Sequence, residues 1–296
     1  MGYLYLFFAL LAGLIKGYCG KSVSRDMTTF KECTFINLMR MLFCAVVGVL
    51  PLFFTGGIGA FAITQQGFLI YLMASISMST FCVAWMYAYQ NEAYMFLSVF
   101  TMLGSIVVCA LDAIFYNVNI RLNQWFGMFI LLLAVFIMSV YNKGIKGKLT
   151  AKGLAILIIG SLGSAVADFS QKVYMRETGQ CAEAFNFYMY AFGFVLLLFV
   201  FLGSTKKKAP KTAPILYDKK HILVYFAMAF FLYLNSVTKT MAAGLLSTAQ
   251  IYPVLQGANL IASTAMAHVF FKEKANTKCF LGIFVAFAGL MIMHLL

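Results

Sequence analysis

The chain has 296 residues, 63% of them hydrophobic and only 10% charged, with a mean hydropathy of +0.90. Soluble domains carry roughly a quarter charged residues, so a water-soluble fold is excluded. The net charge of +13 would suit nucleic acid in a soluble protein, but here the 22 Lys and Arg sit mostly in short clusters between apolar runs. That distribution is the footprint of membrane orientation, and no nucleic-acid partner is expected.

A helix needs about 20 apolar residues to cross the hydrocarbon core. Apolar runs separated by polar breaks predict ten spans, at about 2 to 20, 33 to 55, 66 to 88, 93 to 115, 123 to 141, 151 to 174, 182 to 202, 221 to 240, 243 to 270 and 277 to 295. The start, Met1 to Leu14, lacks a basic n-region and is followed by Lys16 rather than a small-residue cleavage site, so it reads as part of a retained first span and not a signal peptide. The longest break, Gly203 to Lys220, holds Pro210 and Pro214 and is the one real linker.

The seven cysteines are scattered, without a C-x-x-C pair, and His221, His268 and His294 are equally dispersed. No metal-ligand spacing, nucleophile elbow or phosphate-binding glycine loop occurs, so neither an enzyme nor a cofactor is expected.

If the breaks alternate sides, those after spans 1, 3, 5, 7 and 9 hold sixteen Lys and Arg, among them Lys206, Lys207 and Lys208. The other side holds four: Arg121, Lys172, Arg176 and Lys239. The positive-inside rule then places the sixteen in the cytoplasm and both termini outside.

A shift of 151 residues lays Lys21, Arg25, Asp26 and Glu32 on Lys172, Arg176, Glu177 and Glu183; a shift of 155 lays Gly127, Phe129 and Met138 on Gly282, Phe284 and Met293. Two halves of five helices are implied, residues 1–148 and 149–296. Because five is odd, the second half enters the membrane upside down, the inverted-repeat design of many secondary transporters.

The stretch Ala243 to Leu296 carries Ile251-Tyr252-Pro253, the closing Phe270-Phe271-Lys272-Glu273-Lys274, Cys279 to Gly282 and Phe287-Ala288-Gly289, and Arg40 stands in the second span. With these motifs the chain resembles the ten-helix EamA-type members of the drug/metabolite transporter superfamily. The resemblance implies a bacterial cytoplasmic membrane and a solute bound between spans 1, 3, 4, 6, 8 and 9. It also implies cytoplasmic termini, against the charge count.

Ionisable groups inside spans are costly and face protein or water, so they are candidates for function. In span 6, Ser161, Ser164, Asp168 and Gln171 form one polar face. Asp168 either binds a cationic group or carries a driving proton, or it sits in interfacial water paired with Lys172 at i+4. Span 4 has Ser98, Thr101, Ser105 and Asp112; span 9 has Thr248, Tyr252, Gln256, Asn259 and Ser263. These stripes either line a cavity near the midplane or serve as interhelical glue.

Lys16 is expected to snorkel, Arg40 to snorkel or to clamp a carboxylate, and Lys239 to lie at the interface. If Lys16 or Arg40 reaches a cavity opposite Asp168, the site suits a zwitterion. Trp85 and Tyr89, with Cys82 at the same spacing, either wall that cavity or belong to packing and the interfacial belt.

The sequence thus predicts an all-α integral membrane protein of ten transmembrane helices in two inverted five-helix repeats. It would move a small zwitterionic or cationic organic metabolite by alternating access, as a monomer in contact with membrane lipid, with a proton as candidate coupling ion. A flippase or exchanger of lipid or lipid-linked solute and a non-transporting membrane scaffold are the other classes. The expected substrate site comprises Lys16, Arg40, Trp85, Tyr89, Ser105, Ser164, Asp168, Tyr252, Gln256 and Asn259.

Overall fold

A lipid environment offers the backbone no hydrogen bonds, so a chain this apolar must satisfy its amides within helices. The structure, a computed structural model, describes residues 1–24, 27, 29–90, 94–140, 151–178, 181–204, 218–271 and 277–295. Ten α-helices run through them: α1 (Gly2–Ser24), α2 (Phe30–Gly56), α3 (Gln65–Gln90), α4 (Tyr94–Tyr116), α5 (Leu122–Val140), α6 (Ala151–Glu177), α7 (Ala182–Ser204), α8 (Lys219–Leu245), α9 (Thr248–Phe271) and α10 (Thr277–Leu295). No strand occurs among the described residues.

Among the described residues α1, α2, α3, α6, α7 and α8 are long and apolar enough to cross a membrane. The spans expected on α4, α5, α9 and α10 include side chains outside the described residues. Burial is inverted relative to a soluble protein. Phe54, Leu223 and Phe284 are 81%, 68% and 71% exposed on the outer surface, while Arg40, Asp112, Asp168 and Lys172 are 6% exposed or less. Apolar groups outside and charges inside mark a helical integral membrane protein.

Local chemistry sets several helix ends. Thr29 and Glu32 cap α2 reciprocally, the Glu32 amide donating to Thr29 Oγ1 at 3.3 Å and the Thr29 amide to Glu32 Oε2 at 2.9 Å. At the end of α4, Asn117 has φ 51°, the left-handed conformation that Asn tolerates better than most residues.

One boundary departs from the sequence reading. The eighth span was expected to end at 240, with Lys239 at the interface, and the ninth to begin at 243. Instead α8 runs on to Leu245, and α9 begins at Thr248. The helix continues because Lys239 is neutralised inside the protein. The break falls where the side chain of Gln250 accepts hydrogen bonds from the Ser247 amide and hydroxyl at 3.1 and 3.0 Å.

The helices form two groups, each with a core of its own, while a further buried cluster around Leu6, Val108, Ala165, Ala242 and Ile251 joins α1, α4, α6, α8 and α9. One joins α2, α3, α6, α7 and α8 around Tyr71, Tyr174, Phe185 and Leu232; the other joins α4, α5, α9 and α10 around Met102, Met128, Leu131 and Ala286. Helix α1 packs on α8 and α3 on α6; α2 packs on α7, α4 on α9 and α5 on α10; α4 also meets α6, α9 meets α1, α2 meets α8 and α7 meets α3. Shifting every helix label by five maps this set of neighbours onto itself.

Candidate functional site

A cavity of about 100 Å³ opens between the two helix groups, walled by α1, α3, α4, α6, α8 and α9, with Met189 contributed by α7. A water needs roughly 10–15 Å³ of such space, so the volume accommodates several waters or a small solute.

The polar face of α6 forms one wall. Ser164, Asp168 and Gln171 line the cavity. Ser161 of the same stripe is buried against Gly104 of α4, where a Cβ would stand 3.0 Å from the Ser161 carbonyl oxygen. Asp168 does not pair with Lys172. Its Oδ1 accepts from Lys239 Nζ at 2.5 Å, so Lys239 is not interfacial but part of the cavity wall. Lys172 turns to the end of α8 and donates to the carbonyls of Ala243 and Leu246, both at 2.6 Å. The last carbonyls of a helix have no partner within it, and the negative end of the helix dipole favours a cation there.

On α9, Gln256 and Asn259 line the cavity. Tyr252, 1% exposed, lies behind it, donating its hydroxyl to the Asp168 backbone carbonyl at 2.6 Å; it holds α6 rather than facing a solute. Ser105 of α4 is also buried away from the wall, its hydroxyl donating to Met102 O at 2.7 Å. Thr101, one turn earlier, is the α4 residue that reaches the cavity. Asp112 belongs to a different cluster: Arg176 donates to its two oxygens at 2.6 and 3.3 Å, and the Thr248 hydroxyl donates to Oδ2. That cluster ties the ends of α4 and α6 to the start of α9.

The opposite wall is cationic and aromatic. Lys16 and Trp85 line the cavity, the ammonium 5.5 Å from the indole centroid. Arg40 does not reach the wall. It is 1% exposed, donates from Nη1 to Asn37 Oδ1 at 2.8 Å, and places its guanidinium carbon 5.0 Å from the same indole. Neither cation snorkels or clamps a carboxylate among the described residues. The side chain of Tyr89 lies outside them, as do those of Ser98 and Ser263.

The sequence reading missed Asn235, Ser236 and Lys239 of α8. A signal was present: Asn235, Ser236 and Lys239 follow the apolar run of α8, with Asn235 and Lys239 four apart on one face, the same spacing as Asp168 and Lys172. Asn235 Nδ2 donates to Ala9 O at 2.6 Å, locking α8 to α1 beside the cavity.

No family model and no curated protein matches the chain. A solved crystal structure, described only as that of a protein, superposes with a TM-score of 0.76, covering 99% of this chain and 96% of its own at 11% sequence identity. At that identity the likeness is one of fold alone.

Proposed function

We propose that the protein is a secondary transporter of a small polar organic metabolite, working by alternating access and built as ten spans in two inverted five-helix repeats of the EamA type. The observation that carries this reading is the cavity. In an apolar helix bundle it gathers Lys16, Asp168, Lys239, Gln171, Gln256 and Asn259 at one place between the two helix groups. Gln171, 2% exposed, keeps its Oε1 buried without a hydrogen-bond partner. Such a group costs free energy unless water or a solute supplies the missing donor.

The principal helix contacts support the repeat, since exchanging α1 to α5 with α6 to α10 maps the pairs named above onto one another. A site at the interface of two repeats is where transporters of this design bind their solute. The Asp112, Arg176 and Thr248 cluster bridges α4, α6 and α9 at one end, where a transporter needs a contact that breaks on opening. Under the charge count this is the outer end.

The test is reconstitution. In vesicles, a Ser164→Cys protein should react with a membrane-impermeant thiol reagent added to either side, with protection by transported solute, and the parent protein should exchange solute across the bilayer. Labelling from one side under every condition, with no flux, would remove the transport reading.

A further inference from the structure

We infer that the cavity takes its ligand through an oxyanion, a carboxylate or phosphate group docked at the corner formed by Lys16 and Trp85. This rests on the reading of the cavity as a ligand site and names the chemistry it selects.

The argument begins with charge. Among the described residues the cavity wall carries one carboxylate, Asp168, and two cations, Lys16 and Lys239. Asp168 and Lys239 are joined at 2.5 Å and neutralise each other. No free carboxylate is left for an ammonium group, which removes the basis for expecting a purely cationic solute. Lys16 remains, making no ion pair among the described residues, with its ammonium against an indole face. Arg40, 1% exposed, stands against the same indole and is also without a carboxylate partner among the described residues; its Nε has no hydrogen-bond partner there either.

The two cations crowd one indole, the Lys16 ammonium 5.5 Å and the Arg40 guanidinium carbon 5.0 Å from its centroid. Like charges in an apolar interior are unfavourable unless an opposite charge joins them. The indole attracts both through its electron-rich face, but it supplies no net negative charge. An anion beside Lys16 would supply it.

The corner is rigidly built. Lys16 and Gly20 are four apart on α1 and so share a face. A Cβ at Gly20 would lie 2.4 Å from Trp85 Cη2, so glycine is what lets the indole press against the α1 backbone directly below Lys16. Asn37 fixes Arg40 from the other side, its Nδ2 donating to Cys33 O at 3.0 Å while its Oδ1 accepts from the guanidinium. The neutral amides of Gln171, Gln256 and Asn259 lie around the remaining wall, where they would serve the hydroxyl, carbonyl or amine groups of the rest of the ligand.

The experiment uses the purified full-length protein in a phosphate-free detergent and four probes on one small skeleton: lactate, glycerol 3-phosphate, glycerol and 1-amino-2-propanol. Thermal stabilisation reports binding to the folded state. Lactate, glycerol 3-phosphate or both should raise the melting temperature, and which one does so distinguishes carboxylate from phosphate. Glycerol and the amine should not. Lys16→Gln should weaken anion binding by about tenfold or more, whereas Lys16→Arg, which keeps the charge, should retain most of it. If Lys16→Gln fails to fold, the four-probe comparison on the parent protein still decides.

Stabilisation by the amine or glycerol equal to that by the anions, no stabilisation by either anion, or anion binding indifferent to Lys16→Gln would each overturn the inference. Vesicle flux is read separately. Lys16-dependent anion binding without flux removes the transport reading and leaves this one standing; flux of the amine in a protein that ignores anions does the reverse.

Discussion

Lys239 of α8 donates to Asp168 of α6 at 2.5 Å, joining residues 71 apart in the chain across one wall of the cavity. Both are largely withdrawn from solvent, with side chains 16% and 5% exposed. The bond therefore fixes the spacing of two cavity helices and sets the charge that a ligand meets.

Removing one partner strands the other. Lys239→Met leaves a buried carboxylate uncompensated, a defect that costs about 3–5 kcal/mol when a buried pair is broken from one side. The double variant Asp168→Asn with Lys239→Met removes both charges and should recover most of that loss. Thermal unfolding of the two single variants and the double variant forms a cycle that measures the coupling. A double variant destabilised by the sum of the two single changes would show that the two residues act independently.

The ten helices were legible because each apolar run is longer than a buried soluble helix and most breaks carry polar or turn residues. The polar face of α6 was legible for the same reason, since Ser164, Asp168 and Gln171 stand out in an apolar stretch. Their partners were not. Sequence offers Asp168 its nearest cation, Lys172 at i+4, but it cannot show that the open carbonyls at the end of α8 claim Lys172 and leave Asp168 to Lys239. The break between α8 and α9 was misplaced as well, because Lys239 was read as interfacial at the end of its span. Arg40 beside Trp85 was out of reach as well: the two stand on different helices, 45 residues apart in the chain, and such a contact leaves no periodic trace.

Close helix contact makes a second prediction. Helices α5 and α10 meet at two glycines: a Cβ on Gly127 would stand 2.7 Å from Gly289 O, and one on Gly289 would stand 3.0 Å from Gly127 O. Small residues at such a crossing let backbones approach. Gly127→Ala should cost about 1–3 kcal/mol by overpacking. Gly203→Ala is the control, because nothing lies within 4 Å of a Cβ there. Melting temperatures that fall equally for both, or for neither, would contradict the packing argument.

The cluster at the far end of α4 should behave as a latch. Asp112 is 1% exposed and accepts from Arg176 and Thr248. Thr248→Val removes one donor to a buried carboxylate, a loss of about 1–3 kcal/mol. Arg176→Lys keeps the charge but cannot reproduce the two-pronged contact. If the cluster closes the outer end, both changes should speed labelling of Ser164→Cys from outside relative to the Ser164→Cys parent. Unchanged labelling with reduced stability would make the cluster purely structural.

The orientation gives the last prediction. Sixteen Lys and Arg fall on one side of the expected topology and four on the other, and the structure sharpens that imbalance. Of the four, Lys239 pairs with Asp168 and Lys172 caps α8, both withdrawn from the surface, which leaves Arg121 and the Asp112-bound Arg176 exposed. A cation held inside the protein no longer offsets those that orient the loops, so the bias favours cytoplasmic placement of the lysine-rich side all the more. Asp218 and Asn119 are both exposed, at the start of α8 and after α4, and by the charge count they lie on opposite sides. With the partly exposed Cys19 and Cys181 replaced by Ala, Asp218→Cys in intact cells should resist an impermeant thiol reagent until the membrane is opened, while Asn119→Cys should react at once. The reverse pattern would put the termini in the cytoplasm, as the EamA resemblance implies, and would mean that helix packing rather than loop charge sets the orientation of this protein.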